Sequence, residues 1–222
     1  MKYLVLYSTI CGGFFSQTDA LDTAVRSARD HVGEDTWKRG YSGSDPQGAT
    51  VAANHYLHLA GIKPIQLDGI VTHVGFVENR DNAGNTYPKL RLGLQNLDDQ
   101  YLLSVDLKSD VAQRLVVKLD NCSPGEYVRV WAWPTFVERE GRKFINHAVS
   151  MKGSEGKEVP AKGDFAAQVK TKTEAVDKAL RTVGVLDKKV IATAKTNKRI
   201  EAHKDLLLEI QSRFTTAQTA HA

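Results

Sequence analysis

The chain has 222 residues, 41% of them hydrophobic and 25% charged, with a formal net charge of +4. That suffices for one sizeable core with an appendage or two small domains, and it is too apolar for a chain disordered throughout. No apolar run nears the roughly 20 residues of a membrane-crossing helix, no secretory h-region opens the chain, and two cysteines, Cys11 and Cys122, make no disulfide framework, so a cytoplasmic protein is expected.

In chain order, Lys2–Ser8 reads as a strand rich in Tyr, Leu and Val, broken by Cys11-Gly12-Gly13. Leu21, Ala24, Val25 and Ala28 recur at helical spacing within residues 18–32, ahead of Gly33. Residues 40–48 form a loop, and residues 54–59 fit neither pattern. Residues 65–78 and 86–95 are β-rich, with a hairpin loop, N-R-D-N-A-G-N, between them, and residues 101–106 make a third strand. Ser109 then caps a helix through Leu119, and residues 126–137 and 143–151 are two more strands around a Gly turn. The order β-β-β-α-β-β predicts an α+β fold, an OB-like antiparallel β-barrel or twisted sheet, with an N-terminal strand-helix unit and a helical C-terminal extension.

The expected organisation is a β-rich body over residues 1–151, its OB-like part at about 65–151, a linker over 152–163 and a basic helical extension over 164–222. In the extension Asp164 is placed to cap a helix carrying Phe165, Val169, Val176 and Leu180; Gly184 interrupts it; helix then resumes over 185–194, and Ile200, Leu207, Ile210 and Phe214 mark a last helix. Charge divides at the same place. Residues 152–222 hold 14 Lys and Arg against 9 Asp and Glu, whereas every Tyr and Trp lies within the first 133 residues.

Strand alternation sorts two of these strands into rows. Leu90, Leu92 and Leu94 face one way, and Tyr87, Lys89, Arg91 and Gly93 the other. Val128, Val130 and Ala132 share one face, and Tyr127, Arg129, Trp131 and Trp133 the opposite one. Aliphatic rows fill a core. Rings alternating with cations suit a single nucleic-acid strand, whose bases stack on aromatic faces while Lys and Arg meet its phosphates. The competing reading packs the tryptophans beneath another element. Lys188, Lys189, Lys195, Lys198 and Arg199 in the tail would lengthen a phosphate path, or else form an ordinary solvated helix face or a dimer contact.

Enzyme signals are sparse. Cys11-Gly12-Gly13 between strand and helix suggests a thiol or nucleotide site, yet the chain has neither a G-x-G-x-x-G nor a Walker pattern. His55 and His58 lack further ligands at metal spacing. Neither an enzyme, nor a metal, nor a cofactor is expected.

Gly69-Ile70-Val71-Thr72-His73-Val74-Gly75, Gly125-Glu126-Tyr127-Val128-Arg129-Val130-Trp131 and Asn146-His147-Ala148 resemble viral single-stranded-DNA-binding proteins. More narrowly, the layout resembles the ssDNA-binding RNA-polymerase cofactors of bacteriophages that package an RNA polymerase. The resemblance implies coating of ssDNA, help to a phage polymerase in transcription or replication, and residence in a host cytoplasm. Two features depart from it: the chain lacks the acidic tail of many replication-type relatives, and its N-terminal strand-helix unit is foreign to a simple OB barrel. The alternative is a protein–protein assembly module that self-associates through its C-terminal helices.

Overall fold

The computed structural model describes residues 2–97, 99–139 and 142–219. Its elements are β1 (Lys2–Ser8), β2 (Gly13–Ser16), α1 (Asp19–Val32), α2 (Glu34–Lys38), α3 (Ala49–Leu59), β3 (Leu67–Arg80), β4 (Thr86–Asn96), β5 (Asp99–Asp106), α4 (Asp110–Leu119), β6 (Tyr127–Arg139), β7 (Arg142–Gly153), α5 (Phe165–Thr182) and α6 (Lys188–Thr219). The fold is α+β, a curled mixed sheet with C-terminal helices.

Among the described residues the seven strands lie in the order β2-β1-β5-β4-β3-β6-β7. Strands β3 to β7 are antiparallel to their mutual neighbours, as expected. The N-terminal strand β1, expected outside the antiparallel part, joins the sheet by running parallel to β5, from Lys2 opposite Gln100 to Val5 opposite Leu103. A parallel pair needs a long crossover, and here ninety residues separate the two strands. The pairing also covers an edge of β5 that would otherwise expose unpaired backbone groups.

The curl brings the ends of the sheet together. A Cβ at Gly12 would sit 2.5 Å from Pro134 Cδ, and the Tyr41 ring lies 5.6 Å from that of Phe136. Inside the curl, Leu90, Leu92, Leu94, Val128 and Val130 form one core with Leu115 and Leu119 of α4 and Leu207 and Ile210 of α6. Helix α4 starts where expected, with the Ser109 hydroxyl accepting from the Ala112 amide at 3.2 Å.

Strand β3 leaves β6 after Ile70, and α6 covers the edge thus exposed. The Phe76 amide donates to Gln211 Oε1 at 2.8 Å, Lys204 Nζ stands 4.5 Å from the Phe76 ring centroid, and the same ammonium reaches Glu78 at 3.0 Å. Of residues 152–163, expected as a linker, the first two extend β7, and the rest runs along β7 and α4: the Val159 amide donates to the Met151 carbonyl at 2.7 Å and the Lys162 amide to the Val117 carbonyl at 2.7 Å.

Two expectations in the tail are corrected. Asp164 makes no side-chain cap, because its φ of 56° holds it left-handed. The two expected segments after Gly184 are one 32-residue helix, α6. At the N-terminus, Leu6 and Phe15 pack outward against Leu21, Ala24 and Leu57, so α1 and α3 cover the outer side of β1 and β2. No helix among the described residues is long and apolar enough to cross a membrane.

Candidate nucleic-acid interface

The outer face of the sheet carries both aromatic–basic rows, in two patches. On β6, Val128, Val130 and Ala132 are buried while Arg129 and Trp133 are exposed, as strand alternation demands. The Arg129 guanidinium lies 5.6 Å from the Trp131 ring centroid. Lys152, directly across from Arg129 on β7, places Nζ 5.9 Å from the same ring. Both distances fall within the range of cation–π attraction. Among the described residues neither cation forms an ion pair with a carboxylate. Trp133 is 44% exposed opposite the small Ala148, whereas Trp131, opposite Ser150, is half-buried. Tyr127 is held differently: its hydroxyl donates to Asp68 Oδ2 at 2.6 Å.

The second patch lies on β3 and β4. Tyr87 donates its hydroxyl to Asp81 Oδ2 at 2.9 Å, a bond that raises the phenol's pKa and ties the ring to the β3–β4 turn. Lys89 stands opposite Val77, and Arg91 opposite Gly75. Arg91 Nε is sealed from solvent without an acceptor. Beside it lies His73, which sequence reasoning missed. A Cβ on Gly75 would come within 2.6 Å of His73 Nε2, and one on Gly93 within 2.9 Å of His73 Cβ. The imidazole thus occupies the room that two glycines leave free, while the residue stays exposed. Burial first, and then the Arg91 charge, lower its pKa and favour the neutral ring. The legible signal was a glycine in each of two paired strands, which marks close approach of a neighbouring group.

The register keeps the two patches apart. Arg91 pairs with Gly75 and Val130 with Leu67, so about 26 Å of β3 separates their levels at the rise of an extended strand. One mononucleotide cannot touch both; an extended strand can.

The five tail cations divide. Lys188, Lys195 and Arg199 line a groove between α5 and α6, joined there by Arg181. Lys198 pairs instead with Glu201 at 2.8 Å, and Lys189 is exposed outside the groove. Cys11 is partly buried, with burial raising its pKa above the usual thiol range, which disfavours a thiolate nucleophile. His55 and His58 are exposed on α3, and His55 packs edge-on to Tyr56. Among the described residues no three His, Cys, Asp or Glu side chains gather as a metal site.

Comparison with protein-family models, with curated proteins and with solved structures gives no match to this chain.

Proposed function

We propose that the outer face of the sheet binds single-stranded DNA with little sequence preference, Trp131 and Trp133 stacking on bases while Arg129 and Lys152 meet phosphates. The observation that carries this reading is the Trp131 indole beside two cations that have no carboxylate partner among the described residues. Stacking is tolerant of sequence because every base offers a π face. The β3–β4 patch, with His73, Lys89 and Arg91, takes the strand further along the same face.

The fold lends support at a coarser level. Strands in the order β5-β4-β3-β6-β7, with α4 between β5 and β6, favour an OB-like reading, a fold whose strands and loops bind oligonucleotides. Closure of a five-stranded barrel would join β5 to β7; here β1 takes the β5 edge instead. Following the resemblance to phage polymerase cofactors, the bound strand would be one opened for transcription or replication.

A labelled dT oligomer of about thirty nucleotides tests the proposal by fluorescence anisotropy, with unlabelled single strand and duplex as competitors. Displacement by the single strand at far lower concentration than by the duplex is expected. Equal displacement by both, or no binding at low salt, contradicts it.

A second reading, assembly through the C-terminal helices, is favoured by one feature: Val183, Leu186 and Val190 are 76%, 73% and 49% exposed around the α5–α6 turn. Light scattering across protein concentrations decides it, since this reading requires a mass above that of one chain without DNA.

A further inference from the structure

Strand β6 pairs with β3 only over Tyr127–Val130, so among the described residues the stretch from Trp131 to Arg139 pairs with β7 alone. A two-stranded ribbon is marginal in water by itself, and this one is held on its inner side. There the Tyr7 hydroxyl meets His147 Nδ1 at 2.7 Å, and the Tyr41 ring lies against Phe136. The outer row runs on past Trp133. Phe144 stands opposite Val137, in the row of Trp131 and Trp133 by strand alternation, and is 47% exposed. Phe136 is exposed as well, but it belongs to the opposite row, that of the buried Val130 and Ala132. At the rise of an extended strand, Trp133 lies about 7 Å beyond Trp131, and the level of Phe144 about 13 Å beyond Trp133. Like charges directly opposite one another destabilise a strand pair, yet β6 and β7 have them at both ends of this row: Arg129 opposite Lys152, and Arg139 opposite Arg142. Asp68, across from Arg129 on β3, spends Oδ2 on Tyr127 and Asn96. A chain of phosphates relieves both like-charge pairs, and the bases it carries supply planar faces for the rings between them. An acidic peptide would match the charges but not the row of rings.

We infer that the bound single strand runs along the outer face of the β6–β7 ribbon, from the Arg129–Lys152 pair past Trp131 and Trp133 to Phe144, which stacks on a base as a third ring. This path rests on the single-strand reading above and gives it a direction and a further base-stacking residue.

Full-length protein and the variants Phe144→Ala, Phe144→Trp, Phe136→Ala and Trp133→Ala are titrated with the labelled dT oligomer, reading anisotropy. Wild type is also cross-linked by ultraviolet light to the same oligomer carrying iodouracil, and the attached residue is mapped by mass spectrometry. All three substituted rings are exposed, so the variants should fold, which thermal melts check. Phe144→Ala is expected to bind about tenfold more weakly, Phe144→Trp to bind like wild type, and Phe136→Ala, on the other face, to leave affinity unchanged. A cross-link at Phe144 is expected in wild type, and it decides the matter even if an alanine variant melts early. If Phe144→Ala binds like wild type and no cross-link forms there while Trp133→Ala binds weakly, the path does not reach Phe144 and the single-strand reading stands. If wild type ignores the oligomer at low salt, the single-strand reading itself fails, and the path with it.

Discussion

Tyr7 and His147, 140 positions apart in the chain, are joined by a hydrogen bond of 2.7 Å between the Tyr7 hydroxyl and His147 Nδ1. The bond ties the first strand to the last strand of the sheet, whose hydrogen-bonded order never makes them neighbours. Burial raises the Tyr7 pKa, assisted by Tyr41, so the phenol stays protonated and donates. Burial also lowers the His147 pKa, leaving the neutral imidazole to accept.

An acid-sensitive fold follows. His73, His147 and His203 all have pKa values lowered from 6.5, chiefly by burial. Below that value the unfolded chain takes up protons that the folded chain refuses, so stability should fall as pH drops and level off above pH 6.5. Thermal melts from about pH 8 to pH 5 check this. His147→Gln should flatten part of the slope, and a melting temperature that climbs on acidification would contradict the assignment.

Tyr7→Phe removes the hydroxyl and keeps the ring. It should cost about 1 kcal/mol, measurable as a shifted urea midpoint at unchanged slope. An unchanged midpoint would show that the tie contributes nothing.

Gly93→Ala tests the seat of His73. The added methyl would meet His73 Cβ at 2.9 Å and Thr72 Oγ1 at 3.0 Å, an overpacking that should cost about 1–3 kcal/mol and weaken ssDNA binding by displacing the ring. His73→Ala should weaken binding without that loss of stability. Equal stability of Gly93→Ala and wild type would mean that the ring moves aside freely.

The rows of β4 and β6 were legible because strand alternation and burial are local: Leu90, Leu92, Val128 and Val130 are all buried. The Ser109 cap was legible for the same reason, its hydroxyl accepting from an amide three residues on. Asp164 was misread because its cap depended on a backbone angle that the residue type does not determine. Helix α3 was left ambiguous because its buried face is built largely from Ala49, Ala52 and Ala53, which give little contrast in hydropathy. The β1–β5 pairing and the stagger between Arg91 and Trp131 depend on long-range register, which no local pattern carries. His73 escaped notice because its importance lies in Gly75 and Gly93.

Helix α6 is part of the core. Leu207 is fully buried among residues of the sheet and α4, so Leu207→Ala should cost about 2–5 kcal/mol. Unfolding should remain a single transition followed by circular dichroism and by tryptophan fluorescence alike. A separate early transition, with the sheet left folded, would show the helices to be an independent unit.

Trp131→Ala and Trp133→Ala should each weaken ssDNA binding by about 1–3 kcal/mol. Trp37, which packs beside Ala28 of α1 and Ala52 of α3, should tolerate Phe with no effect on binding. Loss of affinity from Trp37→Phe alone would move the interface elsewhere.

Titration of the intrinsic tryptophan fluorescence with a dT oligomer of about thirty nucleotides, against the matched duplex, at about 50 and 200 mM salt, tests the central claim most directly. Strong quenching by the single strand, weak quenching by the duplex and a steep loss of affinity with salt are predicted. No quenching at the lower salt would contradict the claim, and the exposed Trp133 of β6 would then belong to a protein interface.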